Sequence, residues 1–496
     1  MIRLLEAAEA LEMLKKRGRG ESRELEERVS GIIASVREEG DQALCRISRE
    51  LDGYPLTPEK IRVSPGETDR ARGMVDPQFL RAIRRAAGNI REYHQKQMAG
   101  SWFDCPRQGV LLGQIIGPLK RVGIYVPGGK ASYPSSVLMN AIPAGVAGVE
   151  EIAMVTPPGR DGEINVHTLV AAAEAGVTEI YRIGGAQAVA ALAYGTESVR
   201  PVDKITGPGN RYVTMAKRLV FGAVDIDMLA GPSEVMVVAD SGASPAYIAA
   251  DLLSQAEHDE MAAVVLATPD RELARAVRAE LEKQLQSLSR SGIAGKALAE
   301  FGAVIITRDI GEAVDLANRF APEHLELLVQ DPLDWLGAIK TAGAVFLGPY
   351  SPEPVGDYMA GPNHVLPTGG TARFFSPLGV DQFIRRTSVV YYSRGALEKE
   401  APDIVRLASV EGLEAHARSV QVRLERVASQ PKGQDYDKGD EVLQERFDLI
   451  QEGPPDAGPG RKRIFTDPLP GMPGISENRT AGGPVQMPGF DRERGR

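Results

Sequence analysis

Val122-Gly-Ile-Tyr-Val126, Ile152-Ala-Met-Val155 and Glu179-Ile-Tyr-Arg-Ile183 are short apolar runs separated by Ala-rich stretches, and Glu234-Val-Met-Val-Val-Ala239 extends the series. Runs this apolar, alternating with helical stretches, predict βαβ units on a parallel sheet covered on both faces. A second series follows at residues 262–267, 303–307, 325–329 and 344–347, with a helix predicted over 271–288. The fold class is therefore α/β, with two such domains. Between them, Ala230-Gly-Pro-Ser-Glu234 breaks any regular element and marks a boundary or a site-forming turn.

Upstream, residues 24–52 and 77–98 carry apolar residues at helical spacing among many charges, which predicts amphipathic surface helices. Residues 348–370 form a long Pro/Gly-rich loop, and a charged helix is predicted after Pro402 to about residue 428. Residues 430–496, rich in Gly, Pro and charge, read as a disordered tail with a short helical island at 441–451.

The chain has 496 residues, of which 43% are hydrophobic, enough for substantial cores. Acids outnumber bases 67 to 58, a formal charge of −9, so no overall positive field draws nucleic acid or anionic lipid. Cys45 and Cys105 stand far apart, which excludes a disulfide framework and a thiolate zinc finger. With no long apolar run and a charged amphipathic start, the expectation is a soluble cytoplasmic protein.

Four histidines sit beside acids or amides: Gln255-Ala-Glu-His258, Pro322-Glu-His324, Gly361-Pro-Asn-His364 and Glu414-Ala-His416. Gln255 and His258, three apart on a predicted helix, can converge on one ligand, although the pair alone also fits a solvated helix end. Glu323 and His324 follow a Pro that must end a helix, and adjacent acid and imidazole suit sequential proton transfers. Asp357 and His364 lie in the long loop, where rigid polar backbone rarely exists for packing. Glu411, Glu414 and His416 share a charged helix whose default is a solvated face. Pro127-Gly-Gly-Lys130 is not a Walker loop, and neither Gly184-Gly-Ala-Gln187 nor Gly207-Pro-Gly-Asn210 is GxGxxG, though both could face a phosphate.

Together these motifs resemble histidinol dehydrogenase. The match runs through Ile124-Tyr-Val-Pro-Gly-Gly-Lys130, Asp227-Met-Leu-Ala-Gly-Pro-Ser-Glu234, Leu253-Ser-Gln-Ala-Glu-His258, Pro322-Glu-His324 and Gly356-Asp-Tyr-Met-Ala-Gly-Pro-Asn-His-Val-Leu-Pro367, to Glu411 and His416. The resemblance implies two incomplete Rossmann-like α/β domains with helical N- and C-terminal arms that exchange in a homodimer. It divides the chain into an N-terminal helical arm (1–24), a larger domain carrying zinc and catalytic residues (25–122 with 235–378), an inserted NAD-contacting domain (123–234), a C-terminal helical arm (379–429) and the tail.

It also implies zinc on Gln255, His258, Asp357 and His416, proton transfer by Glu323 and His324, and NAD contacts at Tyr125, Gln187 and Asn210. Implied substrate contacts are Ser233, Gln255, His258, His324, Asp357, His364, Glu411 and His416. The implied reaction is the oxidation of L-histidinol through histidinal to L-histidine, with two NAD consumed. The rivals are a same-fold dehydrogenase of another alcohol, such as a sulfonated diol, and a metallohydrolase using Glu323 as base.

Overall fold

The structure, a computed structural model, describes residues 2–7, 9, 23–128 and 132–425. The chain separates into two units, residues 1–100 with 115–387, and residues 101–114 with the chain from 388 onward. In chain order the strands are β1 (Arg3–Glu6), β2 (Trp102–Arg107), β3 (Val110–Pro118), β4 (Arg121–Tyr125), β5 (Glu151–Val155), β6 (Glu179–Tyr181) and β7 (Lys204–Thr206). There follow β8 (Asp225–Ile226), β9 (Glu234–Ala239), β10 (Ala263–Thr268), β11 (Ala303–Ile306), β12 (His324–Leu328), β13 (Ala344–Leu347) and β14 (Ile384–Tyr392).

Two parallel sheets organise the first unit, one of five strands in the order β6-β5-β4-β7-β8 and one of six in the order β1-β11-β10-β9-β12-β13. The apolar runs become strands because helices cover both faces. Along β9, Val235, Val237 and Ala239 join one core while Met236 and Val238 join another, the period-two alternation of a strand between two helical layers. The strand order reverses between β4 and β7 in the five-stranded sheet and between β9 and β12 in the six-stranded one.

Three expectations need correction. Residues 3–6 are not helical but form β1, which pairs with β11; residues 10–22 of the expected arm lie outside the described residues. The helices spanning Arg23–Gln95, grouped with 235–378 by the resemblance, instead pack on the five-stranded sheet: Val29, Ile33, Leu44 and Ile61 share a core with Val155 and Ile205, and Ile83 and Ile90 share one with Val122 and Met154. An amphipathic pattern reveals an apolar face, not which sheet receives it. The segment from 379 is not wholly helical either. A 3₁₀ turn, Val380–Phe383, is buried in the core beneath the five-stranded sheet, and β14 follows before the helices Arg394–Val410 and Glu414–Leu424.

Pro402, expected before the helix, sits inside Arg394–Val410. The first of these helices starts earlier because Ser393 caps it, accepting from the Ala396 N–H. Strands β14, β3 and β2 make a three-stranded sheet. Within the second unit Arg107 donates to Glu400 at 2.7 Å and to the Tyr392 hydroxyl at 2.7 Å. The tail expected at 430–496, like everything after residue 425, lies outside the described residues.

Candidate active site

The helix Ile310–Phe320 ends at Ala321, which at φ 48° is the non-glycine left-handed residue among those described. That conformation costs an alanine about 1–2 kcal/mol, and here it turns helix into strand just before the acid–base pair. The carbonyls of Pro322 and Glu323 accept from Gly343 and Ala344, both at 2.9 Å. A Cβ at Gly343 would lie 2.5 Å from the Glu323 carbonyl oxygen, so the close approach requires glycine.

Glu323 and His324 are both buried at this amino end of β12. Oε2 of Glu323 accepts the Glu234 N–H at 2.9 Å, and Nδ1 of His324 lies 3.1 Å from the Glu234 carbonyl oxygen. A carbonyl only accepts, so the proton sits on Nδ1 and Nε2 keeps its lone pair. That Nε2 is buried with no hydrogen-bond partner, 3.8 Å from Glu353 Oε1 and 4.0 Å from Asp357 Oδ1. Burial, helped by the neighbouring His364 and His258, pushes His324 down to about 3. Burial and the nearby Asp357 hold the Glu323 carboxyl well above the usual range.

Asp357 comes from a wide π-type turn, Gly356–Ala360, which follows the short helical turn Glu353–Val355. The turn is tied down where Asn89 donates to the Met359 carbonyl at 2.7 Å. Gly361, at φ 110°, closes it beside the Asn89 carbonyl, where a Cβ would come within 2.8 Å. Burial pushes Asp357 up to about 6, against the opposing pull of His258. His364 lies with Nδ1 3.8 Å from Asp357 Oδ1, and burial pushes it down to about 4.

From the facing helix, Pro245–Ala256, Gln255 is fully buried. With its amide nitrogen donating to both Glu353 oxygens, its oxygen accepts from the Glu234 N–H at 3.1 Å. His258 stands just past the helix end rather than on it, its N–H bonded to the Gln255 carbonyl at 3.2 Å, and its side chain is exposed.

Glu353 and Asp357 thus face imidazoles that burial keeps neutral, and burial together with neighbouring carboxylates raises Glu353 well above its ordinary value. Among the described residues, His324, Glu353 and Asp357 offer ligand atoms within 4.8 Å of one another. The Asp357 carboxylate, with the His258 imidazole close enough to act on it, supplies oxygen and nitrogen donors that fit a divalent cation such as zinc.

At the five-stranded sheet a second set of residues gathers on the carboxyl ends of the strands. Tyr125 ends β4 with its hydroxyl accepting from Gly185 N–H at 3.0 Å, and burial pushes it up to about 12. Gln187 lies in the helix Gly185–Tyr194 with both amide atoms buried and without a partner. Asn210 caps the helix Arg211–Val220, accepting from Tyr212 at 3.0 Å and Val213 at 3.2 Å. The Gly207 loop packs so closely on Tyr125 that a Cβ there would strike the Tyr125 carbonyl. Helix starts beside a strand-order reversal are where open α/β sheets take up dinucleotides, and the two idle Gln187 atoms fit a polar ligand there.

The family model for histidinol dehydrogenase matches residues 15–424. This chain belongs to the histidinol dehydrogenase family. Histidinol dehydrogenase of Heliobacterium mobile is 58% identical over 398 residues, covering 80% of this chain and 93% of the relative. That of Syntrophotalea carbinolica is 54% identical, with 84% and 96% covered. The crystal structure of histidinol dehydrogenase from Elizabethkingia anophelis matches with a TM-score of 0.81 at 37% identity, over 86% of this chain and 99% of that one.

For a histidinol dehydrogenase family member, the residues singled out in the sequence are distributed as follows. Gln255, Glu323, His324, Asp357 and His364 come together around one buried centre, with His258 close enough to act on Asp357 and His324. Ser233, half-buried, immediately precedes Glu234, whose backbone orients both Glu323 and His324. Glu411 and His416 are exposed on the second unit. Sequence reasoning missed Glu353 and Glu326. Glu353 offered only an acid between two prolines, and Glu326 an acid inside the apolar run Leu325-Glu-Leu-Leu328. Burial pushes Glu326 up to about 9 and the neighbouring Asp251 up to about 6.

Proposed function

We propose that this chain is a zinc- and NAD-dependent dehydrogenase that oxidises L-histidinol through L-histidinal to L-histidine, the last step of histidine biosynthesis. The observation that carries the reading is the buried pair Glu323–His324, with Nε2 of His324 deprotonated and unpartnered. Gln255, His258, Asp357 and a His416 supplied by a partner subunit would hold zinc, which when bound orients the imidazole and amino nitrogens of the substrate. Glu353 and Asp357 beside the site would offer oxygen acceptors to the substrate's ammonium. NAD, taken up near Tyr125, Gln187 and Asn210, supplies the hydride acceptor.

His324 Nε2 takes the alcohol proton in the first oxidation, and its Nδ1–H stays fixed on the Glu234 carbonyl, so the ring cannot turn as it charges. Glu323 then takes a proton from water as it adds to the aldehyde carbon, the protonated His324 returns its proton to the aldehyde oxygen to give the hydrate, and the freed His324 assists the second oxidation. A raised carboxyl is the stronger base once ionised, which suits this task. Ser233, His364 and Glu411 complete the substrate contacts, Glu411 arriving with His416 on the exchanged arm of a cytoplasmic homodimer. Neither nucleic acid nor membrane has a part, and among the described residues no helix is long and apolar enough to cross a membrane.

The test is substrate choice. NADH formation with L-histidinol, and little with a sulfonated diol at equal concentration, is the expected outcome. The reverse preference would overturn the substrate, and zinc-dependent hydrolysis without NADH would overturn the reaction class.

A further inference from the structure

Glu326 occupies an anomalous place for an acid. It lies in the middle of β12, level with Val237 of β9 and Phe346 of β13, and is 1% exposed. Two residues after His324, it projects from the same face of the strand. Its Oε1 accepts the Glu353 N–H at 3.1 Å, the backbone group that opens the turn leading to Asp357. Its carboxyl faces that of Asp251, close enough for the two to act on each other.

Asp251 stands one helical turn before Gln255 on the helix Pro245–Ala256, and Gln255 in turn donates to the Glu353 carboxylate. The contacts close a ring: strand β12 to helix through Glu326 and Asp251, helix to turn through Gln255 and Glu353, turn back to strand through the Glu353 N–H and Glu326. Three separate elements carry His324, Gln255 and Asp357, and Glu326 touches or is one bond from each. A leucine would fill the same space in an apolar strand without these bonds.

We propose that Glu326, clamped by Asp251, is a positioning residue that sets Gln255 and Asp357 relative to His324. It touches neither substrate nor cofactor and acts through Glu353 and the helix. This rests on the functional reading above for what the three positioned side chains do.

The test uses the full-length dimer and zinc alone as probe, with zinc affinity from competition against a chelator and steady-state kinetics alongside. Glu326→Gln keeps an acceptor for the Glu353 N–H and a donor toward Asp251, and is expected to hold zinc within about twofold of the parent. Glu326→Leu, matched in volume and folded by circular dichroism, is expected to lose about 10–100-fold in zinc affinity, the range for residues that orient metal ligands. Asp251→Ala, at a half-buried position, gives a variant that does not disturb the strand; it should weaken zinc, with Asp251→Asn restoring it. Parent-like zinc affinity in both Glu326→Leu and Asp251→Ala would overturn the proposal, as would a loss in Glu326→Gln equal to that in Glu326→Leu. A parent protein that binds zinc but leaves histidinol untouched would instead overturn the functional reading, leaving the clamp standing.

Discussion

The two parallel sheets both place charged residues at the amino ends of their strands, and they treat those charges in opposite ways. At the five-stranded sheet, Arg121 begins β4 and donates to Glu151 at 2.8 Å and Glu179 at 2.6 Å, the first residues of β5 and β6. Arg200 reinforces both acids, Tyr181 donates to Glu179 at 2.6 Å, and Lys204 at the start of β7 pairs with Asp225 at the start of β8. Burial works to raise Glu179, but the hydrogen bonds from Tyr181, Arg121 and Arg200 win and hold it down at about 2.

At the six-stranded sheet, Glu323 is raised, His324 is lowered, and the bases facing the acids are neutral imidazoles. An edge with every charge answered is settled structure. An edge whose acids and bases are both pushed toward neutrality is poised to exchange protons or accept a cation, and that is where chemistry belongs.

The largest effect should come from His324→Asn, which keeps a donor for the Glu234 carbonyl but removes the Nε2 lone pair. A fall of about 10²–10⁴-fold in kcat is expected, with the thermal midpoint nearly held. A large loss of midpoint with modest loss of rate would make this edge structural, like the other.

Arg121→Met reverses the test. Removing one partner of a buried pair should cost about 3 kcal/mol in urea unfolding, toward the low end of its range because Arg200 and Arg62 still answer Glu179, while kcat of the folded enzyme stays put. Unchanged stability would dissolve the contrast from the structural side.

The smallest effect concerns acid. Glu179 is depressed in the folded state, so its stabilisation is complete above the ordinary carboxyl value of 4.5 and is lost as pH falls toward about 2. Urea midpoints taken between about pH 5 and about pH 3 should fall more steeply in the parent than in Arg121→Met. Equal slopes would show that the pair contributes no such term.

Much of this contrast was beyond the reach of sequence. The apolar runs that became β4, β5, β9, β10, β11, β12 and β13 were legible because a doubly covered parallel strand has to be almost wholly apolar. The short β7 and β8, at three and two residues, carry too little pattern to be seen. His258, His324, Asp357 and His364 stood out by residue type within long ordered motifs. Glu353 and Glu326 did not, because what distinguishes them is burial, and burial of an acid depends on neighbours far along the chain. Nor does any local signal reveal that the helices of Arg23–Gln95 cover the five-stranded sheet, or that the candidate acid–base pair sits at the amino edge of one sheet while the candidate dinucleotide site sits at the carboxyl edge of the other.

The most direct measurement is the yield of NADH per L-histidinol at completion, with and without a chelator. Two per substrate, lost on chelation and restored by zinc, is the predicted result. One NADH per substrate with aldehyde released, or a full yield that chelation leaves untouched, would contradict a single zinc-dependent site in which Glu323 and His324 serve both oxidations.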